Sequence, residues 1–214
     1  MNQDRFRDAQ ESFDEVLKAI PGHMDALINK SALLLRRKKY AEAEHCLERA
    51  QRIDPKRPEV LLNLAIALNS QDRSIEALDL YNQVIEARPN DARAFFNRGV
   101  ALDWLKRYPE ALDEYDRAIA ADPKYAPAHF NRGVILYADG MHEEALEAFS
   151  THLKYSPRDE RAWFNKGLAA MKLDHFDEAV DSFKRALELK PDYLRARKAL
   201  DKSSRRVRVW LRME

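Results

Sequence analysis

The stretch ARAFFNRGVALDWLKRYPEALDEYDRAIAADPKY, Ala92–Tyr125, decides the fold. Its apolar residues fall at helical spacing in two runs, interrupted just before Pro109. Gly99 and Ala111 are small enough to let two antiparallel helices approach closely. Phe95, Leu102 and Tyr115 are large enough to fill the space between neighbouring helices. Pro109 sits in the first turn of the second helix, where no backbone donor is required. Pro123 follows the end of that helix and stops it. A helix hairpin of this length cannot bury its apolar face alone, so it needs a stacked neighbour.

The neighbours are supplied by repetition. Pro21, Pro55, Pro89, Pro123, Pro157 and Pro191 stand 34 residues apart without a slip. Ala9, Ala43, Ala77, Ala111, Ala145 and Ala179 keep the same period. So do the large residues Phe13, Leu47, Tyr81, Tyr115, Phe149 and Phe183. Each unit carries helical runs at roughly positions 1–14 and 18–31.

In these residues the chain resembles the tetratricopeptide repeat family. Phe95, Gly99, Leu102, Ala111, Tyr115, Ala118 and Pro123 match the family's bulky, small and proline positions. The resemblance implies an all-α, right-handed α–α superhelix of antiparallel hairpins. Its register gives repeats at 24–57, 58–91, 92–125, 126–159 and 160–193. Residues 1–23 match the second half of a repeat, and 194–214 form a basic capping helix and tail. One repeat departs from the pattern, with His129 at bulky position 4 and His152 at small position 27. They read either as core histidines with hydrogen-bond partners or as a pH-sensitive soft spot.

Composition narrows the function class. The chain has 214 residues, is 45% hydrophobic and 34% charged, and carries a net charge of +1. Such a balance argues against disorder and against an overall field that recruits nucleic acid or anionic membrane. Charge is uneven, though: residues 194–214 hold eight basic and two acidic residues, leaving about −5 on the rest. Cys46 is the single cysteine, so no intrachain disulfide forms and a reducing, cytoplasmic setting is expected. No apolar run reaches membrane-spanning length, and the start MNQDRFRDAQ is too polar for a secretion signal.

The two ends raise separate expectations. Phe6, Ala9, Phe13, Val16 and Leu17 form a stripe on a second helix that has no first helix before it. Either the chain belongs to a longer array or enzyme, or this face pairs with another molecule, which opens a route to a homo-oligomer. Tyr193, Ala196 and Leu200 have the spacing of a cap for the last hairpin. Beyond Ser203–Ser204 the pattern VRVWLRM leaves helix, strand and disordered tail open, with Trp210 a remote candidate for contact with RNA, membrane or a neighbouring molecule.

Function is expected on the first helices, which in the family line a concave groove through positions 2, 5, 6, 9, 12 and 13. Position 6 reads Asn29, Asn63, Asn97, Asn131 and Asn165. Asparagine is a middling helix former, so helix propensity does not account for the column. An amide presents donor and acceptor together and matches the backbone of an extended peptide. Similar ladders occur in peptide-binding members of the family. With neighbouring first helices roughly 10 Å apart and about 3.3 Å per extended residue, one asparagine meets about every third ligand residue. The competing reading is that these amides merely bond to adjacent helices.

Position 5 reads Ile28, Leu62, Phe96, Phe130 and Phe164, and Trp104 and Tyr137 lie further along. The groove is therefore expected to be apolar and aromatic in its C-terminal part, or part of this set packs between helices. Arg93 and Arg161 at position 2 are candidates to pair with ligand carboxylates. The carboxylate clamp of chaperone-binding relatives is absent: position 5 is never lysine, position 9 is always apolar and position 6 is never basic. At position 7, Lys30, Arg98, Arg132 and Lys166 are expected to pack their stems between helices, with heads at the rim. A basic stripe is the alternative.

No HExxH, CxxC, GxSxG or phosphate-loop pattern occurs, so no catalytic residue, metal site or cofactor is expected. The expected function is a non-enzymatic scaffold holding an extended protein or peptide segment in its groove, without nucleic acid or membrane. A self-assembling scaffold and a region of a larger enzyme are the alternatives.

Overall fold

A computed structural model describes the backbone over residues 3–210 and the side chains over 7–206. Among the described residues there are twelve helices and no strand. The first helices of the hairpins are α2 (Met24–Arg36), α4 (Pro58–Asn69), α6 (Ala92–Trp104), α8 (Ala126–Ala138) and α10 (Glu160–Lys172). Each begins 34 residues after the last, and α12 (Leu194–Trp210) keeps that step. The second helices are α3 (Tyr40–Ile53), α5 (Ser74–Ala87), α7 (Tyr108–Ala121), α9 (His142–Tyr155) and α11 (Phe176–Leu189), with α1 (Gln3–Ala19) ahead of them.

The chain forms two compact units, residues 1–114 and 115–214, which divide within α7. In the first unit each helix packs on the next from α1 to α6, and α4 also touches α2 and α6. In the second the same pairing runs from α8 to α12, with α10 touching α8 and α12.

The repeated columns form the cores. Ala43, Ala77, Ala111, Ala145 and Ala179 are fully buried, as are Leu47, Tyr81, Tyr115 and Phe183, with Phe149 nearly so. Each large side chain removed from water contributes roughly 1.5–3 kcal/mol. Small residues are required opposite them. A Cβ placed on Gly167 would stand 2.6 Å from the Phe183 ring, and one on Gly133 would stand 2.9 Å from Phe149.

One turn geometry joins the two helices of every hairpin. Lys38, Asp72, Lys106, Gly140 and Asp174 occupy the left-handed region, with φ of 58°, 62°, 60°, 85° and 59°. The amide of the next residue then donates to a carbonyl five residues earlier: Lys39 to Leu34, Arg73 to Leu68, Arg107 to Leu102, Met141 to Leu136 and His175 to Ala170. This is the bond that satisfies the open carbonyls at a helix end.

Both unusual histidines are core residues with hydrogen-bond partners. His129 donates from Nε2 to the Pro123 carbonyl at 3.0 Å. The next repeat and the capping helix α12 make the same contact with other residue types at position 4: Trp163 to Pro157 at 2.9 Å and Arg197 to Pro191 at 3.0 Å. His152 places Nδ1 at 2.9 Å from the Ala126 carbonyl and Nε2 at 3.1 Å from Asp159 Oδ2. Asp159 in turn caps α10 through the amides of Arg161 and Ala162. The side chain at position 27 thus ties together the starts of α8 and α10.

At the ends, Leu17 is buried and Phe13 packs against the core of the first unit, while Val16 stays exposed. The Phe6 side chain lies outside the described residues. Ala196 is buried, and Tyr193 and Leu200 pack against the last core. The backbone remains helical through Trp210, whose side chain is outside the described set, as are residues 211–214.

Candidate functional site

The position-6 asparagines lie on the first helices, and none is buried: Asn29 is exposed and the other four are half-buried. The Asn97 amide donates to the Arg93 carbonyl of its own helix at 2.7 Å. Asn131 donates to the Tyr115 hydroxyl at 3.2 Å. Each of these uses one of the two amide N–H donors. Among the described residues, the side chains of Asn29, Asn63 and Asn165 form no hydrogen bond.

The apolar candidates divide. Phe96 and Phe130 are half-buried, whereas Phe164 is only 5% exposed. The Phe164 ring lies 5.8 Å from Phe183 and 5.0 Å from Tyr193, between centroids. Little of it is left for a ligand. Trp104 is 67% exposed, while Tyr137 is half-buried with its ring 5.2 Å from that of His142. Desolvation raises the Tyr137 phenol above its ordinary range.

Position 2 carries exposed Arg93 and Arg161. The Arg161 guanidinium stacks 5.3 Å from the centre of the Phe130 ring. Arg195, the equivalent residue on α12, stacks at 5.3 Å over Phe164. A position-2 arginine therefore rests on the position-5 phenylalanine of the preceding repeat, its polar edge free to meet an anion. The equivalent partner of Arg93 is Leu62, which offers no ring.

The position-7 cations are engaged within the scaffold. Lys30 pairs with Asp14, Arg98 with Glu114, Arg132 with Asp116 and Lys166 with Glu178. They reach back or forward to a second helix, so their charge serves packing.

A cleft of about 280 Å³ opens in the second unit at the ends of α8, α10 and α12. Tyr137, Leu168, Met171 and Phe176 form its apolar part, and Lys172, Lys202, Arg206 and Asp174 its charged part. A register that stops at residue 193 takes in Tyr137 but leaves out the cations of α12. Carried onto α12, the same numbering puts Arg195, Lys202 and Arg206 at groove positions 2, 9 and 13.

Among the described residues no group of three His, Cys, Asp or Glu side chains is placed to hold a metal ion. None of the described helices is long and apolar enough to cross a membrane. The Cys46 thiol is buried, and desolvation raises it above its ordinary range.

Profiles of tetratricopeptide repeats match residues 1–60, then 33–90, 62–126 and 105–160, and finally 160–193. The chain belongs to the tetratricopeptide repeat family. Its fold is the all-α solenoid of that family, a repeat scaffold for protein–protein interaction. No curated protein matches the chain. Among solved structures it is similar to PilW, a widely conserved type IV pilus biogenesis factor, at 18% identity and a TM-score of 0.80. That match covers 91% of this chain and 90% of PilW. YrrB, a tetratricopeptide protein with an unusual peptide-binding site, is 22% identical with a TM-score of 0.63, covering 89% of this chain and 98% of YrrB. A structure of MamA from residue 41 to its end, from Desulfovibrio magneticus RS-1, is 26% identical with a TM-score of 0.66, over 79% of this chain and 96% of that one.

Proposed function

We propose that this protein binds an extended peptide segment along the first-helix face of its units. Position-6 amides would hold the ligand backbone, and neighbouring aromatic and cationic side chains would contact its side chains. One observation carries the reading: asparagine recurs at every position 6, none is buried, and three of the five amides have no hydrogen bond within the described chain. A polar amide at the edge of an apolar surface gains most from a partner that presents N–H and C=O together. Phe96, Phe130, Trp104 and Tyr137 supply adjoining apolar area, and Arg93 and Arg161 supply charge at the helix starts. Phe164 supports this surface from beneath. The repeat boundaries 24–57 through 160–193 are the units of this reading, and its setting is cytoplasmic.

Asn63→Ala/Asn165→Ala is the discriminating variant, because neither amide bonds within the scaffold. The measurement is binding to an array of extended peptides beside wild type, with thermal melting as the control for folding. Unchanged melting with about tenfold weaker binding is expected, from two lost amide contacts of about 0.5–1.5 kcal/mol each. Equal binding of every peptide by both proteins rejects the ladder.

A further inference from the structure

The geometry points to the cleft at the ends of α8, α10 and α12 as a recognition site for an acidic side chain of the bound peptide. Lys202, Arg206 and Lys172 hold the carboxylate, and an adjacent aliphatic side chain of the ligand lies on Tyr137, Leu168 and Met171. This inference rests on the peptide-binding reading and states the chemistry of the ligand.

Unspent charge singles out the cleft. Cations at position 7 are paired with scaffold acids. A larger cleft in the first unit, about 530 Å³, shows the same economy: its Arg98 is bound to Glu114 and its Arg107 to Glu110. Lys172, Lys202 and Arg206, by contrast, form no ion pair among the described residues. Asp174 is the one acid in the lining and is likewise unpaired, which leaves the lining at +2. Like charges gathered without a counter-charge repel one another, and a bound anion relieves that cost.

Lys172 alone has a plainer explanation, since it ends α10, where the helix dipole favours a cation. Lys202 and Arg206 do not share it. They stand one turn apart on α12 and face the same cleft, exposed, from a helix that packs on the last core through Ala196, Ala199 and Leu200.

The apolar part selects among anions. A free phosphate gains nothing from Leu168, Met171 and Phe176. A carboxylate flanked by an aliphatic side chain uses both halves of the cleft, and Asp174 is then free to accept a ligand backbone N–H. Arg161 and Arg195, stacked on Phe130 and Phe164 at the opposite ends of α10 and α12, give the same unit further cations for a second acidic residue.

The test uses the full chain and two short fluorescein-labelled peptides, one of alternating aspartate and leucine and its asparagine–leucine twin. Binding is read by fluorescence anisotropy at low and physiological salt. The aspartate peptide should bind at least about tenfold more tightly than its twin, and salt should erode the difference. Lys202→Gln/Arg206→Gln alters exposed side chains, should leave melting unchanged, and should remove most of the preference. Equal affinity for the two peptides, no binding of either, or a preference that survives the double substitution overturns the proposal. So does an oligouridine that displaces the aspartate peptide and binds more tightly through the same cations. The two readings fail separately. Asn165→Ala, in the same unit as the cleft, should weaken both peptides while keeping their ratio, and a ratio kept with no weakening rejects the ladder but not the cleft.

Discussion

The guanidinium of Arg98 on α6 grips the carboxylate of Glu114 on α7 through two hydrogen bonds, of 2.9 Å from Nε and 2.6 Å from Nη2. The side chains are only 15% and 8% exposed, and a third bond runs from Nη1 to Asn82 on α5. One residue at position 7 thus joins three helices of the first unit. Removing the guanidinium alone leaves a buried carboxylate without its main partner, so Arg98→Ala should cost about 3–5 kcal/mol in urea unfolding. Arg98→Met/Glu114→Leu replaces both charges with apolar volume and should recover most of that loss. A double substitution no better than the single one means that the pair does not act as a unit.

Gly167 and Phe183 give a packing prediction. The Cβ of Gly167→Ala would fall 2.6 Å from a fully buried ring, which must move or distort its helix. Overpacking of this kind costs about 1–3 kcal/mol. Phe183→Leu shortens the opposing side chain and should make the alanine nearly harmless in its background. The coupling is measured by a double-mutant cycle on unfolding midpoints.

The left-handed turns predict an asymmetry. Gly140 holds φ of 85°, and Gly140→Ala should lower stability by about 1 kcal/mol through the Cβ clash of that region. Lys106 already bears that strain at φ of 60°, so Lys106→Gly should raise stability, by up to about 1 kcal/mol after the entropy cost of glycine. Thermal melts of the two variants should move in opposite directions.

Asp103, at the end of α6, predicts a pH dependence. Desolvation raises its carboxyl above the ordinary value of 3.8. A carboxyl raised in the folded state opposes folding once it is ionised and ceases to do so when protonated. Asp103→Asn should therefore stabilise the protein at neutral pH. The advantage should shrink as pH falls through the raised folded-state value and vanish below 3.8. Glu59, Glu76 and Glu110 have the opposite sign, because bonds from Arg88, Arg73 and Arg107 lower them. Their contribution is present at neutral pH and is lost as pH falls from about 4.5 through their lowered values. Melting curves of wild type and Asp103→Asn from neutral to acid pH check the first sign, and those of wild type and Glu59→Gln check the second.

Residues 34 apart were enough to read the hairpins, their small and large packing positions and the face that carries the asparagines. That information is local and periodic: a helix period sets which side chains share a face, and a strict repeat places each face against its neighbour. Three features depended on tertiary structure. Phe164 and Phe96 share position 5, yet one is buried and the other half-buried, and the Phe164 ring stands against Phe183 and against Tyr193, just ahead of α12. Four of the five left-handed turn residues are Lys or Asp, so glycine could not mark them. Lys202 and Arg206, which form no ion pair among the described residues, acquired a role only when α12 took the place of a further first helix beside α10. Whether a charge is spent on the scaffold or left for a ligand depends on which acids stand within about 4 Å of it, and that distance is set by folding.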